Sequence, residues 1–225
     1  MKASVEERFM TKATIELARQ LCKNKHVLHM GLGNGLVARF LDNIVSKQTI
    51  IEGSSLILDK FSFSSKKTDF IEVLFENFQS ENKFDIILAN HVMEHVANPI
   101  NVLNYIKLFL GKRGKIFITV PNANSIHRLI GVEMGLLKDI FELNKSDIKA
   151  GHKRVYNLKS LSNDVIKAGL NIEDSGGYNL KMVSLSQMQG WSQELLDAIF
   201  TVSKSIPKEI CTNLWIICTK KEKNE

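Results

Sequence analysis

The chain is 225 residues long, which suits one domain with a substantial buried core. Lys and Arg outnumber Asp and Glu by 30 to 24; the net charge of +6 favours an anionic ligand, but the basic residues are spread too evenly to make a groove that tracks nucleic acid. No apolar run approaches the roughly 18 residues of a membrane span, the N-terminus lacks the apolar stretch of a signal peptide, and Cys22, Cys211 and Cys218 form no metal-ligand or disulfide pattern, so a reduced, cytoplasmic compartment is expected.

Val5, Phe9, Ala13, Leu17 and Leu21 recur every fourth residue and predict an amphipathic helix over 4–23. HVLHM (26–30) then reads as a buried strand, 35–46 as a helix and QTIIE (48–52) as a second strand. A third strand is expected over 69–75, a fourth over 84–90, a helix over 98–110, and a fifth strand over 114–120 after a turn at Gly111–Gly114. Beyond Pro121, residues 125–150 read as helical or irregular and 159–169 as a helix capped by Gly169. A strand over 171–178, a helix over 192–204, a last strand over 211–220 and a solvated tail complete the chain. Tight turns cannot join parallel strands, so strands alternating with helices imply an α/β fold: a doubly wound, mostly parallel sheet of seven strands with helices on both faces.

In such a sheet ligands bind beyond the carboxyl ends of the strands, where strand order reverses. The exit of the first strand, GLGNG, places glycines at 31, 33 and 35. Leu36 stands where a dinucleotide fingerprint would have its third glycine, and the GK[ST] phosphate loop is missing, which argues against nicotinamide, flavin and NTPase sites. Glu52, at the end of the second strand, is placed to accept both hydroxyls of a ribose. Loop and acid together suggest a nucleoside bound without a pyrophosphate.

The succession VLHMGLGNG, Glu52, FDIILANHVMEHV and GKIFITVPN resembles the ordered motifs of class I S-adenosylmethionine-dependent methyltransferases over residues 24–125. NANSIHRLIGVEMGLL and GHKRVYNLKSL look similar to a bacterial branch that methylates surface polysaccharides or small metabolites. The resemblance implies one Rossmann-like methyltransferase domain over 1–225, with an N-terminal helix (1–23), a cofactor core (24–125), a lid or acceptor region (126–158), completion of the sheet (159–220) and a tail (221–225). It also implies S-adenosylmethionine as cofactor, with the backbone of Gly31, Gly33 and Gly35 beneath it and Glu52, beside Gly53, on its ribose. Phe75 and Glu76 would border the adenine, or serve only as core and surface. Asn90 would meet the methionine end, or cap the following turn. His29 departs from the pattern, because the family usually carries an acidic residue there to organise the methionine contacts.

His91-x-x-Glu94-His95 has the spelling of an inverted zinc peptidase, but the segment follows a buried strand directly and Pro99 cuts short any long helix. In the methyltransferase resemblance the same residues begin beside the transferable methyl, where His95, with His91 as second candidate and Glu94 beside them, would take or steer the proton of a hydroxyl acceptor. A divalent metal on His91, Glu94 and His95 is allowed by that resemblance but not favoured. Acceptor recognition falls to Asn122, Asn124, His127 and Arg128 after the fifth strand and to His152, Lys153, Arg154 and Tyr156 further on. These side chains suit sugar hydroxyls and phosphates, so a small anionic or saccharide acceptor, O-methylated for surface-polysaccharide modification, is expected. The oligomeric state is left open.

Overall fold

The structure, a computed structural model, describes residues 7–221. The first residues of the expected N-terminal helix and nearly all of the expected tail fall outside that range.

Largely apolar runs become the central strands, buried on both faces, as a parallel sheet between helix layers requires, while the edge strand at Thr68–Glu72 is mostly exposed. β1 (His26–Met30), β2 (Lys47–Glu52), β3 (Thr68–Glu72), β4 (Phe84–Asn90) and β5 (Leu110–Pro121) are parallel, while β7 (Asn213–Lys220) runs antiparallel between β5 and β6 (Leu170–Tyr178). The order β3-β2-β1-β4-β5-β7-β6 reverses between β1 and β4, so the exits of these two strands flank one crevice.

Alternate residues of each strand feed two cores. Leu28, Met30, Ile87 and Ile118 pack with Val102, Leu103 and Ile106 of α4 (Pro99–Ile106) and with Leu161 and Val165 of α7 (Leu158–Lys167). On the opposite face Val27, Ile86, Leu88 and Phe117 meet α1 (Lys12–Cys22) and Leu41 of α2 (Leu36–Asp42). Beside them, Ile50 and Leu32 pack on α3 (Ser55–Phe61). α8 (Gln193–Ser203) adds Phe200 against Ala13 and Tyr178. Between β5 and α7 the chain leaves the sheet as α5 (Ile126–Glu133) and α6 (Lys145–Lys149), the region expected as a lid.

Several boundaries differ from expectation. Residues 7–11 form a single π-turn before α1. α2 ends at Asp42 because turns carry the chain to β2, and α3 was not anticipated. β3 stops at Glu72 and α4 at Ile106, each followed by a single 3-10 turn or a short bridge to one. The expected turn at Gly111–Gly114 is instead the irregular start of β5: the register against β4 shifts there, and a Cβ on Gly114 would stand 2.8 Å from the Phe84 carbonyl oxygen.

His29 pairs across the sheet with Ile50 and Leu88 and shares their face. It is 3% exposed, and its Nδ1 has no partner among the described residues. Burial pushes its pKa down to about 4, so the ring is neutral in the fold and protonates far more readily once unfolded. Stability from this group is therefore complete above the unfolded value near 6.5 and is lost as pH falls toward 4. His29→Leu should remove that component: denaturant titrations between pH 7 and pH 4 should show the wild type losing up to roughly 3 kcal/mol more than the variant. Parallel losses in the two proteins would contradict this.

Candidate active site

The turn after β1 carries three left-handed backbone positions in alternation, with φ of +76° at Gly31, +55° at Gly33 and +73° at Gly35. A Cβ on Gly35 would press within 2.9 Å of the Phe61 carbonyl oxygen, but one on Gly33 would meet nothing within 4 Å. The loop thus encloses open space directly above Gly33. Glu52 reaches into the same loop: Leu32 N–H donates to one carboxylate oxygen and Ser54 N–H to the other, each at 3.0 Å. Across the crevice, the side-chain amide of Asn90 at the tip of β4 is shielded from solvent, and neither its oxygen nor its nitrogen has a partner among the described residues.

Beyond Asn90 the chain turns sharply. His91 takes φ +52°, uncommon for a side chain other than glycine, and its N–H donates to the Thr119 carbonyl at 2.9 Å. Its ring is held at both nitrogens, with Nδ1 3.1 Å from Glu94 Oε1 and Nε2 3.1 Å from the Tyr178 hydroxyl. Glu94 is fully buried and its Oε2 has no partner among the described residues. His95 is half-buried with one ring nitrogen against the Gly151 backbone, and burial, ahead of the attraction of Glu94, lowers its pKa. His152 stacks edge-on against it with ring centroids 4.7 Å apart. Asp147 lies 3.4 Å from His152 Nδ1 and raises the pKa of that imidazole. Burial opposes ionisation of Asp147 itself, but His152, the Asn144 N–H and Arg128 outweigh it and hold the carboxyl near 2.

His91, Glu94, His95 and His152 line a cleft of about 810 Å³ at the carboxyl end of the sheet. α5, α6, the segment around Lys181–Ser186 and Phe9–Thr11 form its other walls, and Gly33 lies on its floor.

A family model described as a methyltransferase domain matches residues 3–175. The chain belongs to this methyltransferase family. It is similar to the ubiquinone biosynthesis O-methyltransferase of Coxiella burnetii, at 26% identity over 122 residues covering 49% of this chain and 51% of that protein. The chain thus spans about half the length of the curated relatives it matches. Among solved structures, the 1,6-didemethyltoxoflavin-N1-methyltransferase of Burkholderia thailandensis, with 1,6-didemethyltoxoflavin and S-adenosylhomocysteine bound, superposes with a TM-score of 0.62 at 16% identity, covering 96% of this chain and 80% of that one. A SAM-dependent methyltransferase from Archaeoglobus fulgidus gives 0.62 at 16%, covering 96% and 97%. Identities this low bear on the fold alone, and they agree with the seven-stranded methyltransferase sheet. No helix among the described residues is long and apolar enough to cross a membrane.

The remaining residues that the sequence suggested for the site differ in their surroundings. Phe75 packs against the core and Glu76 is exposed, both on the turn after β3, and Gly53 is exposed beside Leu74. Asn122 is buried, its amide donating to the carbonyls of Glu209 and Cys211. Tyr156 is buried with its hydroxyl on Asp164. Arg128, 4% exposed, spends its guanidinium on the Ile140 and Glu142 carbonyls and on Asp147, and so holds α5 to α6. Arg154 donates to the carbonyls of Met93 at 2.9 Å, Val96 at 2.6 Å and Ala97 at 2.9 Å. These four expected acceptor ligands have internal partners. Asn124 Oδ1 and His127 Nδ1 have none among the described residues, and burial pushes the His127 pKa down to about 3, keeping that ring neutral. The expected metal set also changes, since His91 is fully engaged elsewhere and His152 takes its place beside Glu94 and His95.

Asp147 and Tyr178 were missed. Asp147 was legible in principle as the fourth residue of Asn144-x-x-Asp147, whose capping box opens α6; Tyr178 offers no local signal. Arg154→Met should leave three carbonyls of the His91–Ala97 turn unpaired and cost about 1–3 kcal/mol in denaturant unfolding. An unchanged midpoint would show that the turn does not depend on this side chain.

Proposed function

We propose that this methyltransferase uses S-adenosylmethionine to methylate, at oxygen, a small acceptor held in the cleft, within the cytoplasm. The reading rests on the conjunction at the strand reversal of open space over Gly33, an oriented Glu52 carboxylate and the unpartnered amide of Asn90. These features fit the cofactor. Gly31, Gly33 and Gly35 would pass beneath the nucleoside, Glu52 would accept the ribose hydroxyls with the lone pairs its two backbone donors leave free, and Asn90 would hydrogen-bond the methionine end. Phe75 and Glu76 would border the adenine, with Gly53 beside the ribose.

When bound, S-adenosylmethionine supplies a methyl group on a sulfonium that leaves as a neutral thioether without protonation. The chain must align the acceptor, exclude water and dispose of the acceptor's proton. His91 is held at both nitrogens and serves to position Glu94. His95 faces the cleft, and its lowered pKa keeps it neutral at pH 7, able to take a proton from a hydroxyl. His127, Asn124 and His152 are left for acceptor recognition. They support a saccharide or nucleotide-linked sugar of surface-polysaccharide modification less strongly than a set with free arginines would, because Arg128 and Arg154 are committed to backbone. A quinone precursor is the second reading, favoured by the Coxiella relative and by Phe9, Met10 and Leu185 on one wall.

A side chain at Gly33 would occupy the nucleoside's space, so Gly33→Val should abolish binding of S-adenosylhomocysteine, and Glu52→Ala should weaken it by about 1–3 kcal/mol. Calorimetric titration reads both, and unaltered affinity in the two variants would overturn the assignment. His95→Ala should lower turnover by about 10²–10⁴ with little effect on S-adenosylhomocysteine affinity. Turnover is followed with methyl-labelled donor against pools of sugar nucleotides, sugar phosphates and phenolic quinone precursors. A loss of only a few fold would mean an acceptor acidic enough to react unaided.

A further inference from the structure

Glu94, His95 and His152 bring one ligand atom each to within 4.8 Å of one another at the wall of the cleft. Two features mark this as a built site. Glu94 is fully buried, and its Oε2, shielded from solvent, has no partner among the described residues. Desolvating a carboxylate oxygen without a partner is costly, and a cation is the group that offsets it most fully. Each imidazole also has a tether of its own. His152 Nδ1 lies 3.4 Å from an Asp147 carboxylate oxygen, and a ring nitrogen of His95 lies against the Gly151 backbone. Histidines that ligate metals are held in this way, one nitrogen on a carboxylate or backbone oxygen and the other on the ion.

The two chain segments are locked together around the cluster. Lys153 N–H donates to the Glu94 carbonyl at 2.8 Å, and Arg154 holds the carbonyls on either side of Glu94 and His95. His91 fixes the other carboxylate oxygen of Glu94 from behind. We propose that Glu94, His95 and His152 form a binding site for a first-row divalent cation of the zinc type, with its open side toward the cleft.

Bonds of about 2.0–2.2 Å place tetrahedral ligands about 3.4 Å apart, so closing on an ion takes side-chain shifts on the order of 1 Å. Two imidazoles and one carboxylate suit Zn²⁺, Co²⁺ or Ni²⁺ and disfavour Mg²⁺, which prefers oxygen ligands and keeps its waters. The remaining coordination positions are for oxygens of the acceptor. With an ion bound, His95 would serve as its ligand in place of the base role it has without metal, and the acceptor hydroxyl, acidified by the ion, would lose its proton to solvent. The inference deepens the proposed methyl transfer and rests on it only for the identity of that oxygen ligand; cation binding stands on its own measurement.

Tag-free protein stripped with chelator and titrated calorimetrically with Zn²⁺ should bind one equivalent, and Co²⁺ should give the visible absorption of nitrogen and oxygen ligation. Glu94→Gln and His152→Ala should each weaken Zn²⁺ binding at least tenfold, Asp147→Asn should weaken it about 10–100-fold, and His26→Ala, away from the cleft, should leave it unchanged. Mg²⁺ at the same concentrations should give no binding. Absence of Zn²⁺ and Co²⁺ binding by the wild type, or wild-type affinity in both Glu94→Gln and His152→Ala, overturns the site. Circular dichroism melting confirms that each variant folds; if His152→Ala does not, the isosteric Glu94→Gln decides. S-adenosylhomocysteine titrations of the same samples separate the two failures: wild type that binds Zn²⁺ but no S-adenosylhomocysteine refutes the methyl-transfer reading and leaves the cation site in place.

Discussion

Arg154 donates three hydrogen bonds to the carbonyls of Met93, Val96 and Ala97, and a stretch without regular structure acquires from them a defined path. Turns after parallel strands have no ladder to hold them, and buried carbonyls there need donors from elsewhere. A guanidinium supplies several in a fixed fork. Its own position is set in turn: Tyr156 accepts from the Ala123 N–H at 2.6 Å and bridges in parallel to Asn122, so residues 152–156 lie as a strap across the exits of β4 and β5. His152 meets Glu94 and His95 only because that strap is in place.

The six histidines show how burial and partners divide one residue type among several tasks. His29 lies inside the sheet and has no cationic role, its pKa pushed down by desolvation alone. His127 is also kept neutral, by burial and then by Lys181 and Arg128. His152 goes the other way because Asp147 faces it. His91 accepts a left-handed backbone at the strand exit, and in return its ring joins Glu94 to Tyr178 on β6. Such strain persists only where surrounding contacts over-determine it, which the bonds at its N–H and both ring nitrogens accomplish.

The parallel strands were legible because a strand covered on both faces carries a nearly continuous apolar run, such as residues 86–89 in β4 and 116–120, broken only by Thr119, in β5. The glycine loop and Glu52 were legible for a related reason: backbone geometry and a carboxylate at a strand end are local facts. α3 was not, since SLILDKF buries no residue completely and gives a weak periodic signal. The start of β5 was misread as a turn because two glycines punctuate it, whereas Gly114 is needed for close approach to Phe84. The acceptor residues were hardest. Residue type announced that Arg128, Arg154 and Tyr156 could bind an anion or a hydroxyl, but nothing local shows whether a side chain's partner is a ligand or a carbonyl far along the chain. Those three turned inward, and the pairing of His95 with His152 depends on contacts between segments well separated in sequence.

Most of the buried polar atoms without a partner among the described residues lie toward one end of the sheet. Asn90, Glu94 Oε2, Asn124 Oδ1, His127 Nδ1 and Thr212 Oγ1 all lie beyond the carboxyl ends of the parallel strands, each shielded from solvent and without a partner among the described residues. Each such group costs about 1–3 kcal/mol, and a fold stable by only about 5–15 kcal/mol cannot carry many at random. Fewer lie elsewhere: the buried amide nitrogen of Gln48 donates to the Ala38 carbonyl and the Thr68 hydroxyl, although its Oε1, like His26 Nε2 and His29 Nδ1, has no partner among the described residues. Topology independently selects that end, because the strand order reverses there and leaves a crevice that no crossover helix fills. Unspent hydrogen-bonding capacity therefore collects where the chain's connectivity opens a space, and groups left unpaired by the protein are those a bound molecule can pair.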